Sequence, residues 1–346
     1  MSIQITFLDV GHGDCIVISQ ATTAVIVDVR SKRRLEKWLD HHDIKVIDCL
    51  YFTHGHQDHV PSLTNVVTFV EDWIKRKDTQ VRRLCLPTEV IRTSAEKASS
   101  PNTSDIQRMR LQSALDKLEL WYSQNTVEFL RGEKNPQPHS YEDLRVNILH
   151  PSFVYSERQR ARNSNNLNET SVVLRIDYGS FRALLLGDLE GSGIASLLAH
   201  CDANELEANV LKIPHHGAWP SNGHELHHLL KTSNPEIAIL SVGSKNQHGH
   251  VVPELFDALL NLKNDSSCRL DQFVCTEVTR TCVWDSIQRQ QNRYANLDQQ
   301  MPCAGDISII AEHSGSWVRM ASDQHAEVVD SISFPACRGT MNAHNV

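Results

Sequence analysis

The 346-residue chain has no apolar run approaching the ~18–20 residues that a membrane-spanning helix needs, which excludes an integral membrane protein. Its first residues, Met-Ser-Ile-Gln-Ile-Thr-Phe, lack a basic stretch followed by a long apolar one, so no export signal is expected. Positive charge is not in excess either. The 34 Lys+Arg face 42 Asp+Glu, for a formal charge of −8. That balance excludes a protein holding nucleic acid by bulk charge, but leaves room for a local basic surface or a metal-mediated grip on phosphate. There is no internal repeat and no low-complexity tract. The nine cysteines are odd in number and irregular in spacing. They read as reduced thiols of a cytoplasmic protein. With 40% hydrophobic and 22% charged residues, what remains is a folded chain of one or two domains. Histidine is abundant, at 19 residues, and neutral imidazole is the commonest protein metal ligand.

Alternating or continuous apolar stretches place strands at 3–10, 15–18, 24–28 and 46–52, with Ser31 capping a short helix through Trp38-Leu39. Residues 71–140 are more polar and read as an insertion. Leu111, Leu115, Leu118 and Tyr122 mark one helix in it. Strands return at 144–149, 171–178, 182–186, 209–213 and 237–242. Helices are expected near 193–200, 221–231 and 253–262. Residues 265–305 read as irregular, 306–311 with 316–320 as a hairpin, and 321–346 as a poorly ordered tail. The expected division is a main domain over 1–264 and an extension over 265–346 that completes a sheet. Every strong polar cluster follows a buried strand, and in α/β layers ligands sit at strand C-terminal ends.

His54, His56, Asp58 and His59 lie within six residues after one such strand. Positions i and i+2 of an extended end point the same way, and a turn can bring Asp58 and His59 round to a second point. Imidazole and carboxylate suit zinc, manganese or iron. Four ligands so spaced fit two adjacent ions, with His54 and His56 on one and Asp58 and His59 on the other. Asp188, closing an apolar strand, is the natural bridge between them. A helix N-cap before Leu189-Glu190 is the competing role for it.

The HxHxDH motif after a hydrophobic strand resembles the metallo-β-lactamase fold superfamily. More narrowly, the chain resembles the hydrolase domain of ComEC-type competence proteins and their soluble relatives. The matching stretches are Phe7–Asp14, Thr53–His59, Asn168–Leu174, Leu184–Asp188, Leu211–Gly217 and Ser241–His250. They cover residues 3–263, about three quarters of the chain. The resemblance implies an α+β fold, an αββα sandwich with two divalent metal ions (Zn or Mn) at one edge. It also implies phosphodiester hydrolysis by a hydroxide between the ions, with DNA as the typical substrate. The carried-over ligands are His54, His56, Asp58, His59, Asp188 and one histidine of the Pro-His-His-Gly motif. His215 is placed on the metal and His216 toward substrate, as phosphate donor or general acid; the swapped order stays open. His250 is expected beside the substrate or just outside the metals, and His248 is as readily a loop residue. Asn168 and Ser171 could position the metal loops or a phosphate, or cap a turn. Asp9 and Asp14 are expected to orient the metal-binding histidines.

The sequence departs from the pattern at Val60-Pro61-Ser62, where two glycines are usual, at Ala218 for a serine, and at Val251-Val252-Pro253, where the proline is displaced. The further histidine of lactamase-type members has no clear equivalent. His139 and His150 lie in the right interval, and His150 reads rather as a satisfied strand-end residue.

The leading function is therefore a metal-dependent nuclease or phosphodiesterase. A small-molecule hydrolase (lactam, thioester or cyclic nucleotide) and a regulatory subunit of a larger complex are the alternatives. Three basic runs, Arg30–Arg34, Lys75–Arg83 and Arg158–Arg162, could follow a phosphate backbone or be solvated faces. Cys268, Cys275, Cys282 and Cys303 could staple the irregular region with zinc. Their spacing matches no common pattern, and buried free thiols are the default.

Overall fold

The computed structural model describes residues 2–60, 62–135, 137–162, 166–221, 223–283, 300–320 and 323–331, with 335 and 337. The first six strands are β1 (Ser2–Phe7), β2 (Ile16–Gln20), β3 (Thr23–Val27), β4 (Val46–Tyr51), β5 (Gln80–Leu86) and β6 (Glu128–Arg131). Seven more follow: β7 (His139–Tyr141), β8 (Leu144–His150), β9 (Val173–Tyr178), β10 (Phe181–Leu185), β11 (Val210–Lys212), β12 (Ile237–Leu240) and β13 (Gln272–Cys275). A last hairpin is β14 (Ile307–Glu312) with β15 (Trp317–Arg319). They form two sheets, ordered β15-β14-β1-β2-β3-β4-β5-β6 and β13-β12-β11-β10-β9-β8-β7.

Period-two alternation decides which layer each side chain joins. On β1 to β3, Ile5, Phe7, Ile18 and Val25 turn inward. They meet Ile176, Leu185, Val210 and Ile239 of the second sheet. Val17, Ile26 and Leu50 turn outward under helices Lys32–His41, Leu63–Ile74 and Asp105–Ser123, against Leu35, Phe69 and Leu118. On the far face, Leu184, Leu211 and Leu240 pack under helices Gly191–His200, Gly223–Ser233 and Pro253–Asn264. Strands hydrophobic on both faces are thus explained by three stacked cores, and the result is the expected αββα sandwich.

Two regions carry more structure than their polarity indicated. Within 71–140, β5 and β6 extend the first sheet parallel to β4, and the segment holds helices Thr88–Ser99 and Asp105–Ser123. Polar residues hid β5 because Arg82 and Arg83 both reach Asp48 on β4, each at 3.1 Å. In 265–305, β13 joins the second sheet beside β12, while 284–299 lie outside the described residues. The expected tail contains a helix, Asp323–Ser331, whose Val329 is buried; most of the rest of 321–346 lies outside the described residues.

β3 runs parallel to β4, and β10 to β13 are mutually parallel. Their C-terminal ends therefore open on one edge of the sandwich. The two layers are tied there by Val172 N–H donating to the Thr53 carbonyl at 2.8 Å.

Candidate metal centre

The loop after β4 brings His54 and His56 together, as i and i+2 require: His54 Nε2 lies 3.1 Å from His56 Nδ1. The chain then turns. The His59 and Val60 N–H groups both donate to the His56 carbonyl, which swings His59 inward. Gly13 packs directly on the Asp58 carbonyl, where a Cβ would collide. Ser62 takes up the altered turn by capping the next helix through Asn65 N–H at 3.1 Å. Pro61 lies outside the described residues.

Asp188 follows β10 and sits between both groups of histidines. Its Oδ1 is 3.2 Å from His59 Nε2, and its Oδ2 is 3.3 Å from His216 Nε2 and 3.9 Å from His54 Nε2. No helix-capping bond uses this carboxylate, since the next helix is capped at Glu190. The Asp188 N–H donates instead to Ser171 Oγ at 3.0 Å, which gives Ser171 its positioning role. Gly187 lies against that same hydroxyl with φ +52°, a site only glycine fills easily.

The order at the Pro-His-His-Gly motif is reversed from that expected. His215 and His216 both adopt left-handed backbone, φ 47° and 50°, so the strand's alternation does not carry through them. His216 is completely buried, with Nε2 3.1 Å from His59 Nε2 and 3.5 Å from Asp58 Oδ2. His215 stands at the rim. Its Nδ1 donates to Glu190 Oε2 at 2.8 Å and its Nε2 accepts from Asn168 Nδ2 at 3.3 Å, so neither nitrogen is free for a metal. His216 thus replaces His215 among the candidate ligands, and it is too deep to meet substrate.

Whether these donors fit a metal can be judged from their lone pairs. His216 Nδ1 faces the Ser241 carbonyl at 2.8 Å, an acceptor only, so this nitrogen carries the proton. His59 Nδ1 faces the Asp28 carboxylate at 2.6 Å and carries one likewise. With protons assigned from these partners, the two Nε2 atoms aim bare lone pairs at each other. A proton on one of them, or a metal ion between them, relieves this. Donors on one tetrahedral zinc at about 2.0–2.1 Å stand about 3.3 Å apart, which matches the 3.1–3.3 Å separations among His59, His216 and Asp188. His54, His56 and Asp58 form a second convergent group, and Asp58 also converges with His12 and His216. Asp58 therefore lies between the two groups rather than with His59 alone.

The electrostatics agree. Burial pushes the His216 imidazole down, but Asp188 and Asp58 more than reverse it, up to about 9. His59 is likewise raised against burial, by Asp188 and Asp28. His54 is pushed well down by burial and by His59, so it stays a neutral imidazole with one bare nitrogen. The cluster attracts positive charge where His59 and His216 meet, and keeps neutral imidazole beside it.

Four participants were not singled out in the sequence. Asp28, at the end of β3, binds Thr53 N–H (2.8 Å), Thr53 Oγ1 (2.7 Å) and His59 Nδ1. It does what was expected of Asp9, which instead receives Gly11 N–H and lies by Glu277, where burial and that carboxylate raise it to about 7. Asp14 does join the cluster, 3.7 Å from His59 Nδ1, and is paired with the buried Lys212. His12, from the glycine turn, has its ring centroid 4.4 Å from that of His216. Glu190 holds His215. The signal for Asp28 was the one that flagged Asp188, a carboxylate ending a buried strand.

His139 and His150 are both engaged elsewhere. His139 joins Tyr51 (2.8 Å) and Asp48 (2.7 Å), and His150 Nδ1 meets the Ser171 carbonyl at 3.1 Å. A cleft of about 680 Å³ opens over the cluster, walled by His12, His56, Asp58, Asn168, His215 and His250 among others. Asn168 and His250 thus face the space where substrate was expected.

Asp28→Asn tests the outer carboxylate. It keeps the shape but loses the charge that orients His59. Metal affinity should fall about 10–100-fold by chelator competition, with the far-ultraviolet circular dichroism unchanged. Unaltered affinity would show that His59 needs no such partner.

No family model matches the chain. In sequence it is 28% identical over 207 residues to ComE operon protein 3 of Bacillus subtilis (strain 168), a match covering 60% of this chain and 21% of that protein. The chain is thus similar in sequence to a ComEC-type protein. It thus spans about a fifth of that relative's length. Among solved structures it is similar to the metallo-β-lactamase fold protein YhfI of Bacillus subtilis (TM-score 0.45, 11% identity, covering 79% of this chain and 96% of that one). It is also similar to a long form RNase Z from yeast (TM-score 0.41, 11% identity, 79% and 40%). No helix among the described residues is long and apolar enough to cross a membrane.

Proposed function

We propose that the chain is a metal-dependent phosphodiesterase acting on nucleic acid, DNA foremost, with two divalent ions, Zn or Mn, held by His54, His56, Asp58, His59, Asp188 and His216. When bound, such ions supply an activated water at neutral pH and offset charge on a phosphate. The observation that carries the reading is the composition of the cleft wall. It consists of imidazoles, amides and carboxylates, with no Ser, Thr, Cys or Lys among its described residues to act as nucleophile. With Asp58 and Asp188 assigned to the ions, water is read as the attacking group. The wall carries no aliphatic, Phe, Tyr or Trp side chain among its described residues.

The residues divide the work by depth. His54, His59, His216 and Asp188 are buried and fix the ions. His12 and His250 line the mouth, where a ring N–H can meet a non-bridging phosphate oxygen, and His215 stands beside them. His12 and His250 are both held low, foremost by burial, the latter at about 3, so they act as neutral donors. His215 is oriented by Glu190 and Asn168. The basic runs support this reading little: Arg34 pairs with Asp306, Arg76 with Asp40, and Arg82 and Arg83 with Asp48. Grip on the phosphate is assigned to the centre itself.

The test uses the full chain loaded with Mn²⁺ or Zn²⁺. Single- and double-stranded DNA, RNA, bis(p-nitrophenyl) phosphate and a lactam are offered in parallel. Cleavage of the diesters, lowered at least about a hundredfold in Asp58→Ala, supports the reading. A loaded protein that leaves every diester intact, or an Asp58→Ala variant as fast as wild type, overturns it.

A further inference from the structure

Two turns that are far apart in the chain meet at the mouth of the cleft. One is the glycine turn after β1, which carries His12. The other is the loop after β12, which carries His248 and His250. Their meeting depends on a glycine. Gly243 packs so closely on the backbone of Gly11 and His12 that a Cβ would lie 2.4 Å from the His12 nitrogen. Two side chains hold the loop beyond it. Asn246 is buried, and its amide spans the loop: Nδ2 donates to the Gly243 carbonyl at 2.6 Å and to the His250 carbonyl at 2.7 Å, while Oδ1 accepts from the His250 N–H at 2.8 Å. Glu277, in the stretch after β13, receives the Ser244 N–H at 2.6 Å. A buried amide with three bonds to backbone fixes where the two histidines stand.

The result is three imidazoles with a shared orientation. The planes of His248 and His250 are 19° apart, those of His12 and His250 26°, and those of His12 and His248 30°. The matching centroid separations are 5.6, 5.8 and 5.9 Å, within the range of offset aromatic pairs. A single column of three rings would set one pair about twice as far apart as the others. The nearly equal sides exclude a column, so more than one ring turns a face to the same side. His248 is exposed, while His12 and His250 are half-buried, and all three wall the cleft. His12 also lies against His216, with centroids 4.4 Å apart. The array therefore begins beside the metal-type donors and runs outward to solvent.

We propose that His12, His248 and His250 form a stacking platform for an unpaired nucleobase next to the phosphate being cut, so that single strands are taken in preference to duplex. The inference rests on the phosphodiesterase reading for the position of the phosphate, and adds what holds the adjoining nucleotide. Every base has a π face, so flat aromatic side chains hold single strands with little regard to sequence. Among the described residues of the wall, imidazoles are the only such faces. In a duplex both faces of each base are already covered, and reaching the platform would cost unstacking and unpairing. The chain's charge of −8, with several arginines of its basic runs paired to carboxylates, leaves the grip on a strand away from the ions to uncharged contacts of this kind.

His248 is the residue to change, because it lies outside the groups of convergent metal-type donors. The full chain loaded with Mn²⁺ is offered a single-stranded DNA, the same strand made abasic, and the duplex. Cleavage gives kcat/KM, and quenching of a 2-aminopurine base on mixing reports stacking without turnover. Wild type should favour the normal strand over the abasic one about tenfold and quench the fluorophore. His248→Ala should lose most of that preference and the quenching. His248→Phe, which keeps a flat ring without ring nitrogens, should restore both. A preference that His248→Ala leaves intact overturns the platform. So does a loss that His248→Phe fails to restore, since that marks a hydrogen bond and not a stack. The two readings fail separately. Quenching with every strand left uncut defeats the phosphodiesterase reading and keeps the platform. Equal cleavage of normal and abasic strands without quenching defeats the platform and keeps hydrolysis.

Discussion

Asp188→Asn is expected to lower phosphodiester hydrolysis about a thousandfold at saturating metal, equivalent to about 4 kcal/mol in the barrier. The substitution is nearly isosteric, and the backbone N–H that anchors this position to Ser171 is untouched. What changes is charge at the one carboxylate that faces His54, His59 and His216 together. Burial pushes the Asp188 carboxyl up, yet His216 and His59 hold it well below the ordinary range, so it is ionised. An amide there presents a neutral oxygen on one side and an N–H on the other. The N–H would point at an imidazole lone pair or at an incoming cation, and only the first is favourable. The variant should therefore bind less metal by elemental analysis, and what it binds should be poorly placed. Turnover within tenfold of wild type, at equal metal content, would remove Asp188 from the bridging position.

The centre was legible in the sequence where its geometry is local. His54, His56, Asp58 and His59 converge because a strand end followed by a tight turn leaves them little else to do. Asp188 could be read from its place after an apolar strand. The Pro-His-His-Gly pair could not. The choice between His215 and His216 depends on two residues in left-handed backbone, and that conformation comes from the packing of Gly217 against Val251 and of His216 under Ser241, both distant in sequence. Asp28 and Lys212 escaped for a different reason. Lys212 lies within a buried strand whose apolar neighbours dominate the pattern, and Asp28 ends one that no histidine motif follows, so neither charge reads as a role. The strands β5 and β6 were hidden by the reverse effect, since Arg82, Arg83 and Glu128 pair with charges on neighbouring strands and make the segment look like surface. Topology read well where both faces of a strand are covered, and poorly at the edge of the first sheet, where polar residues are tolerated.

Lys212→Met should cost the metal-free protein about 3–5 kcal/mol of folding stability, the range for breaking a buried ion pair by removing one partner. Lys212 lies in β11 between Leu211 and Ile213, and its side chain is completely buried. Its ammonium pairs with Asp14, donates to the Gly187 carbonyl at 2.8 Å and stands 3.6 Å from Asp188 Oδ1. Burial favours the neutral amine, but Asp14 and Asp188 outweigh it and hold the Lys212 pKa above its ordinary value. Methionine matches the length and fills the space, so the loss isolates charge from volume. It leaves two buried carboxylates without their cation, and the carbonyl of Gly187 with the His215 N–H as its remaining donor. Bound divalent ions would bring positive charge to the same carboxylates, so the penalty should shrink when metal is present, beyond the general stabilisation that any native-state ligand confers. Urea unfolding with and without chelator reads both effects, as a lowered midpoint at unchanged slope. The double variant Lys212→Met with Asp14→Asn should recover part of the loss, because removing both partners leaves fewer uncompensated groups than removing one. A single variant within about 1 kcal/mol of wild type in chelator would mean that Asp14 and Asp188 are neutralised by each other's histidines alone, and that Lys212 is a passenger in the strand.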